Sequence, residues 1–411
     1  MSAENLPDFY TGSPVDPSDL RFRGPFLQEL WETLETRHVL LTAPRRTGKT
    51  SVMDHLRDFP EADFSVISVN VQDLDHPADL FLTLLDTFHD KHPKFLRDNI
   101  GKGWDLLGKA FGKIGEVDFA EFKIALRDAD PNWRDNWRLH GERFLKQARA
   151  AERPILFIID ELPDMLIELG KRDEKCLREF LAWFRTQRTN PAPKKDSLRW
   201  LVGGSINLSS TLDAHGMVDL INDFEDVELP VLSEDQIEVF VHDMLTGRGV
   251  PHDETVPARL IARLGRPIPL FMQMAVQDLY RRWKRTESPL TGETVDQVFD
   301  SLITTSAAKS KLQHYYTRID KYYSEPKRSI AHALLSEICL SSSGLRRARL
   351  LETTERLLAD EGEAMPRHAR LQFFNQLLRD LENDFYISEV EDDRYDFTGG
   401  VLKDWWRKYY A

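Results

Sequence analysis

The segment from Ala43 to Thr50, APRRTGKT, constrains the fold of this chain more than any other part of the sequence. It follows a short apolar run at residues 38–42, HVLLT, which is typical of a buried strand, and it leads into a segment with helical periodicity. A Gly-Lys-Thr triplet between a strand and a helix is the pattern of a phosphate-binding loop. Main-chain N–H groups at the start of a helix cradle phosphates, a lysine reaches the β- and γ-phosphates, and a hydroxyl holds Mg²⁺. The sequence therefore predicts a nucleoside triphosphate site.

Alanine occupies the first position of this loop, where glycine is more usual, and two arginines follow it. The arginines are open to a second interpretation as ordinary surface charge. The predicted nucleotide-binding residues are Ala43, Pro44, Arg45, Arg46, Thr47, Gly48, Lys49, Thr50 and Ser51.

A second signal is the acid pair Asp160 and Glu161, which follows a continuous apolar run at residues 155–159. Such a run is typical of a central parallel strand that is buried on both faces. After this strand, Asp160 is predicted to hold Mg²⁺ beside Thr50, and Glu161 to orient or deprotonate the attacking water. The alternative is an acid pair that caps a helix after an unrelated core strand. Lys49, Asp160 and Glu161 are the candidate catalytic residues.

Polar residues follow a later predicted strand at 198–205, LRWLVGGS. Ser205 and Asn207 are candidate sensors of the γ-phosphate, although a turn of small residues explains them equally well. On the preceding predicted helix, residues 174–189, Arg185 and Arg188 are candidates for an arginine supplied to a neighbouring subunit. Ordinary solvated charges on a helix are the alternative for both.

Predicted strands at 64–71, 154–160 and 198–205 alternate with helices, and too few strand–helix pairs fit before residue 225 for a closed barrel. The prediction is an α/β fold, a doubly wound parallel sheet. After Leu229-Pro230 the pattern becomes helical, and SEDQ opens the first helix with a serine cap. Helices near 329–340 and 367–381, followed by a hairpin, predict a winged helix.

These motifs together resemble the archaeal-type ATPase family, a branch of the AAA+-related P-loop ATPases close to the signal-transduction ATPases with numerous domains and to replication initiators. The resemblance spans roughly residues 20–405. It is carried by RFRGPFLQELWETLE, APRRTGKTS, IDELPDM, VGGSINL, LPVLSEDQ and LGRPIPLFMQ. The last segment is similar to the Gly-x-Pro element of the family's lid, here Gly265, Arg266 and Pro267, which implies that Pro267 lies near the nucleotide base.

The resemblance implies a P-loop NTPase αβα sandwich with a parallel sheet, followed by a helical lid and a winged-helix domain, with ATP and Mg²⁺ as cofactors. It divides the chain into an N-terminal arm at 1–20, an ATPase core at 21–228, a lid at 229–318 and a winged helix at 319–411. A helical or hairpin insertion is expected at about 92–142, with a small hairpin near 113–126.

Charge limits the partners. The chain has 55 Lys and Arg against 68 Asp and Glu, a net charge of −13, so the whole molecule repels polyanions. Eight acids against Arg394 alone occupy residues 380–396, which disfavours DNA at the predicted wing. Basic residues remain at 281–285, RRWKR, where a helix C-terminus that meets its own dipole is the alternative explanation.

Two cysteines, Cys176 and Cys339, predict a reducing compartment, with the cytoplasm as the default. No apolar stretch approaches about 18 residues, and residues 1–14 have no signal-peptide pattern, so neither export nor membrane insertion is expected.

The resulting hypothesis is a Mg²⁺-dependent ATPase, slow or stimulated by a partner, whose nucleotide state changes the angle between core, lid and winged helix and so engages a protein effector. Assembly into a homo-oligomer is compatible with it. Two alternatives stay open: a DNA-engaging ATPase of replication, transposition or repair, and a scaffold that binds ATP without hydrolysing it.

Overall fold

The computed structural model describes residues 8–44, 46–61, 63–91, 131–190, 197–204, 208–213, 215–360, 365–391 and 393–411. Contacts divide them into two compact units. The α/β unit comprises the described residues of Asp16–Ala43 and Lys49–Leu229. The C-terminal unit comprises those of Met1–Val15, Pro44–Gly48 and Pro230–Ala411.

The α/β unit alternates strands and helices. Short 3-10 turns at Pro17–Asp19 and Val218–Leu220 accompany them. Its elements in chain order are α1 (Gly24–Thr36), β1 (Val39–Thr42), α2 (Lys49–Asp58), β2 (Ser65–Asn70), α3 (Pro77–Lys91), α4 (Trp137–Arg149), β3 (Ile155–Asp160), α5 (Leu162–Arg172), α6 (Glu174–Thr189), β4 (Leu198–Gly203), α7 (Leu208–Asp213) and β5 (Glu225–Glu228).

The five strands form one parallel sheet in the order β2-β3-β4-β1-β5. Every residue of β3 is buried, and its side chains alternate between two apolar clusters. Ile155, Phe157 and Ile159 belong to one cluster, whereas Leu156 and Ile158 belong to the other. Because both faces of the sheet are covered, the predicted α/β sandwich with a parallel sheet is confirmed.

Three elements of the α/β unit are absent from the sequence-based assignment: β5, α5 and the short helix α7. β5 is an edge strand whose residues, EDVE, are mostly exposed, so no apolar run marks it. α5 begins immediately after the acid pair, with Pro163 in its first turn, and it buries Met165, Leu166 and Leu169. The hairpin expected near 113–126 lies outside the described residues, as does most of the insertion at 92–142.

The C-terminal unit is mainly helical. Its elements in chain order are α8 (Glu234–Thr246), α9 (Thr255–Leu264), α10 (Pro269–Thr286), α11 (Gly292–Leu302), α12 (Ser306–Tyr322), α13 (Lys327–Leu340), β6 (Leu345–Arg346), α14 (Arg347–Asp360), α15 (Arg367–Asn383), β7 (Ile387–Glu391), β8 (Arg394–Phe397) and α16 (Gly400–Tyr409).

α8 begins with the predicted serine cap. Ser233 Oγ accepts a hydrogen bond from the Gln236 N–H at 3.2 Å, and Gln236 Oε1 accepts from the Ser233 N–H at 3.0 Å. At the other end of the unit, β6, β8 and β7 form an antiparallel sheet with β8 in the centre. None of the helices within the described ranges is both long and apolar enough to cross a membrane.

The boundary predicted between residues 318 and 319 falls inside α12, which runs continuously through it. This helix packs on both of the regions that the boundary would separate. The ring of Tyr315 lies 6.4 Å from that of Phe271 in α10, and its carbonyl accepts a hydrogen bond from Tyr386 Oη at 2.7 Å. No linker therefore occurs at this position, and the extents of the lid and winged helix stay predictions.

A second contact inside the C-terminal unit joins the turn after α9 to the turn before α16. Gly265 has a φ of +63° and bridges to Gly399, and the Arg266 N–H donates to the Thr398 carbonyl at 3.2 Å. A Cβ on Gly400 would lie 2.5 Å from the carbonyl oxygen of Arg263. Only glycine allows the two backbones to approach so closely.

Candidate nucleotide-binding site

The phosphate-type loop connects the end of β1 to the start of α2. Arg46 and Gly48 have positive φ values of 70° and 97°, and the buried Thr47 hydroxyl donates to the Pro44 carbonyl at 2.6 Å. Ala43 is buried and does not have a positive φ, so its Cβ causes no backbone strain at the position where glycine is more usual. Arg45 lies outside the described residues.

Lys49, the first residue of α2, is a buried cation with an incomplete set of partners. Its Nζ lies 3.6 Å from Asp160 Oδ1, and the side chain is only 8% exposed. Within the described ranges, Nζ finds no hydrogen-bond acceptor. A buried ammonium without hydrogen bonds is costly, and an anionic ligand would supply the missing acceptors.

Thr50 and Asp160 lie together, as the sequence predicts. Thr50 Oγ1 donates to Asp160 Oδ2 at 2.9 Å, and Asp160 Oδ1 accepts from the Glu161 N–H at 3.0 Å. Asp160 ends β3 and is 5% exposed. A hydroxyl and a carboxylate on adjacent elements form a set of hard oxygen donors that fits Mg²⁺. The next residue along α2, Ser51, is also buried.

Glu161 connects β3 to α5 in a left-handed conformation, with φ 60° and ψ 32°. This region is sparsely populated by non-glycine residues, and such strain is concentrated at functional sites. Because of this conformation the chain turns sharply at Glu161, and α5 begins at Leu162, two residues after Asp160. The carboxylate of Glu161 lies beside the end of β4, because a Cβ on Gly204 would be 3.4 Å from Glu161 Oε2.

A further carboxyl, that of Asp54, lies one turn beyond Thr50 on α2. Burial raises the pKa of Asp54; Arg57, bonded to it at 2.6 Å, opposes this shift, and the negative charge of Asp160 adds to it. The sequence analysis did not single out Asp54. A second acid at i+4 from the hydroxyl residue was the signal that could have found it.

Three of the remaining predicted residues lie outside the described part of the α/β unit. Ser205 and Asn207 lie outside the described residues. Pro267 belongs to the C-terminal unit, in the turn between α9 and α10. Their roles as sensors and as a base contact stay predictions.

The candidate arginines of α6 have different environments. The Arg188 side chain has no exposed surface; its Nε and Nη2 donate to Asp223 at 2.6 and 2.8 Å, and Nη2 also donates to the Leu220 carbonyl at 2.8 Å. Its guanidinium carbon lies 4.3 and 4.2 Å from the rings of Phe184 and Phe224. Burial lowers the pKa of Arg188, against the opposing effect of Asp223.

The assignment of Arg188 as an arginine for a neighbouring subunit is therefore wrong, because its guanidinium is enclosed and bound within its own unit. Arg185 is 35% exposed and lies 3.7 Å from Asp219. It remains the candidate of the pair.

No protein-family model matches the sequence, and no curated protein matches it. Solved structures do. The Walker-type ATPase PABY2304 of Pyrococcus abyssi is 17% identical, with a TM-score of 0.59 over 97% of this chain and 99% of that one. The Aeropyrum pernix ORC2 protein, solved as ADPNP–ADP complexes, is 11% identical, with a TM-score of 0.52 over 97% of this chain and 95% of that one. This chain therefore has the fold of these two proteins, with the five-stranded parallel sheet described above.

Proposed function

We propose that this protein is a Mg²⁺-dependent ATPase that uses its nucleotide state to control engagement of a protein partner. The observation that carries the proposal is the buried Lys49 ammonium, which has no hydrogen-bond acceptor among the described residues and lies beside the bonded pair of Thr50 and Asp160. A polyphosphate with its cation would complete both sets of contacts. The fold of nucleotide-binding relatives supports this interpretation.

The division of roles follows from the chemistry of each side chain. Lys49 would neutralise charge on the β- and γ-phosphates, while main-chain N–H groups of the loop donate to their oxygens. Thr50 Oγ1 and an Asp160 oxygen would hold Mg²⁺, which neutralises charge that develops on phosphate oxygens. Glu161 would orient the attacking water and accept its proton.

The contacts inside the C-terminal unit refine the proposed switch. The Gly-x-Pro element is bound through Arg266 and Gly265 to the turn before α16. α12 contacts α10 through Phe271 and the segment before β7 through Tyr386. Movement of this element therefore carries α16 with it. The switch we propose has residues 230–411 moving as one body, rather than a lid and a winged helix changing angle separately. The acidic hairpin β7–β8 is our candidate surface for a protein partner.

Isothermal titration calorimetry with Mg²⁺-ATP and Mg²⁺-ADP, together with phosphate release, tests the proposal. Wild type should bind both nucleotides only with the metal. Lys49→Ala should lose binding, whereas Glu161→Gln should bind and lose turnover. Absence of metal-dependent nucleotide binding by the folded wild type would overturn the proposal. Unchanged slow turnover in Glu161→Gln, with intact binding, would instead favour the non-hydrolysing scaffold.

A DNA-engaging ATPase is the second candidate, and the run at residues 281–285 is the feature that favours it. Part of that charge is committed internally: Arg281 Nη1 donates to Asp278 at 3.2 Å, Arg282 donates to Gln297, and Lys284 lies 5.6 Å from the Tyr280 ring centre. A duplex-DNA mobility shift at low salt that disappears on neutralising Arg281, Arg282 and Lys284 would support it. Stimulation of turnover by a protein fraction but not by DNA would reject it.

A further inference from the structure

Two consecutive glycines, Gly203 and Gly204, end β4 at the same edge of the sheet as the candidate site. β4 lies between β3, which ends at Asp160, and β1, which leads into the phosphate-type loop. Gly203 is in register with Leu41 of β1, and the residue before it pairs with Ile159 of β3. The backbone at this point therefore runs between the elements that supply the two halves of the site.

The first glycine lies against the stem of Lys49. A Cβ at Gly203 would be 3.2 Å from Lys49 Cδ, 3.1 Å from the Leu41 carbonyl oxygen and 2.6 Å from Met53 Cε. The methionine end is flexible and could move. The carbonyl belongs to the sheet and cannot, so an added methyl group would crowd the lysine stem.

The second glycine lies against the first turn of α5. A Cβ at Gly204 would be 2.6 Å from Pro163 Cγ and would overlap Cδ of the same ring, while Glu161 Oε2 would be 3.4 Å away. The proline ring is bonded to its own backbone nitrogen, so it cannot swing aside. An added methyl group at this position must displace the start of α5, where Glu161 is the N-cap.

We propose that Gly203 and Gly204 are positioning residues with separate targets: Gly203 sets the location of the Lys49 ammonium, and Gly204 sets that of the Glu161 carboxylate. The proposal rests on the proposed ATPase function and deepens it. It predicts that Gly203→Ala weakens nucleotide binding, whereas Gly204→Ala slows ATP hydrolysis.

The two effects are separable by measurement. Gly203→Ala should raise the Kd for Mg²⁺-ADP by about tenfold, because the contacts of a charged group lose their geometry. Gly204→Ala should keep Kd within about twofold and lower kcat roughly 10- to 100-fold, since a misplacement of about 1 Å in a reacting group costs that much. A merely structural loss would raise Kd and lower kcat in the same variant, together with its melting temperature.

Matched variants complete the experiment. Gly24→Ala, in the first turn of α1, has open space around its Cβ and should leave Kd, kcat and the melting temperature unchanged. Pro163→Ala removes the obstructing ring, so Gly204→Ala/Pro163→Ala should recover most of the lost kcat. This rescue is specific to the Gly204–Pro163 contact.

Wild-type-like kcat in Gly204→Ala, equal increases of Kd in the two glycine variants, or failure of the Pro163→Ala rescue would each overturn the positioning proposal while the ATPase proposal stands. Wild type that binds no nucleotide, or that fails to hydrolyse it, would instead remove the proposed function and this inference with it.

Discussion

Each unit of the molecule contains a buried lysine, and the two lysines differ in how well they are bound. Lys403 on α16 is 9% exposed, and its Nζ lies 2.6 Å from Asp396 Oδ2 on β8. Asp396 also accepts from the Phe397 N–H at 2.7 Å. Lys49 is buried to the same degree, yet its closest carboxylate oxygen is 3.6 Å away.

The difference in hydrogen bonding distinguishes the Lys403 ammonium, which has a structural partner, from the Lys49 ammonium, which has none at hydrogen-bond distance among the described residues. A buried ion pair with good geometry meets most of its desolvation cost within the fold, so it contributes to the integrity of the unit. A buried ammonium that lacks hydrogen bonds leaves part of this cost unmet. Lys403 thus has its partner within the C-terminal unit, whereas Lys49 is the cation to which the proposed function assigns an anionic ligand.

The hairpin acids extend this contrast. Of the eight acids between residues 380 and 396, Asp380 is bonded to Lys327, and Asp384 Oδ1 lies 3.8 Å from Arg318 Nη2. With the bond from Lys403 to Asp396, part of the acidity that disfavours DNA is therefore neutralised inside the unit. Exposed acids remain at Glu389, Glu391 and Asp393.

The largest effect is expected at the paired lysine. Lys403→Met should lower the free energy of unfolding by about 3 kcal/mol, because Asp396 is left mostly buried and charged. Nucleotide affinity should not change. Urea unfolding followed by circular dichroism measures the loss.

Asp396→Asn in the same chain should recover at least half of that loss, since both charges are then removed. Lys408→Ala, exposed on the same helix, serves as the control. Loss of nucleotide binding in Lys403→Met would break the contrast between the two lysines.

At Lys49 the expected effect is on binding. Lys49→Met should weaken Mg²⁺-ADP binding roughly 100-fold, about 2.8 kcal/mol, because each hydrogen bond to a charged group is worth about 1.5–3 kcal/mol. Without ligand, the free energy of unfolding should stay equal or rise, since the substitution removes a buried ammonium that lacks a hydrogen-bond acceptor among the described residues. Calorimetry and unfolding of the same preparations give both quantities. A loss of stability as large as that of Lys403→Met would show that Lys49 is a structural cation.

Removal of the Thr50 hydroxyl should weaken nucleotide binding less than removal of the Lys49 ammonium. Thr50→Ala should weaken the metal-dependent part of ADP affinity about tenfold, because one oxygen donor to the cation is lost. Thr50→Ser keeps the oxygen and should remain within about twofold of wild type. The affinities are measured at graded Mg²⁺ concentrations. Equally weakened ADP binding in both variants would show that the methyl group of Thr50, rather than its hydroxyl, determines the metal-dependent affinity.

The smallest effect is expected for the exposed acids of the hairpin. Glu391→Gln should change the free energy of unfolding by less than about 0.5 kcal/mol, as for most surface substitutions. The matched change Asp380→Asn, at a residue only 3% exposed, should cost several times more, which thermal unfolding resolves. Similar losses of unfolding free energy in the two variants would remove the distinction between acids that are paired inside the unit and acids that are exposed.

The sequence predicted the part of the fold in which local and long-range signals agree. The apolar run of β3 ends in an acid, and the loop before α2 has the required lysine and hydroxyl, so the contact between Thr50 and Asp160 could be anticipated. β5 could not, because an edge strand of exposed acids has no hydrophobic period. Its place depends on the free edge of β1, which only the assembled sheet provides.

The interpretation of Arg188 failed for a related reason. An arginine on a helix is usually solvated, and nothing in its local sequence shows that Asp223, far along the chain, would bind it between two phenylalanine rings. Gly203 and Gly204 were visible as a pair, but their significance depends on how closely Lys49 and Pro163 approach them. Tertiary distances of this kind are not encoded in any short motif.

The continuity of α12 has a practical meaning for protein engineering. Excision after residue 318 would cut through a helix and strip Tyr386 of its acceptor, the Tyr315 carbonyl, leaving fresh apolar surface on both fragments. Chimeras between this chain and proteins of the same fold should accordingly be spliced near Leu229 and Pro230, so that the C-terminal helices are transferred together with their own hairpin.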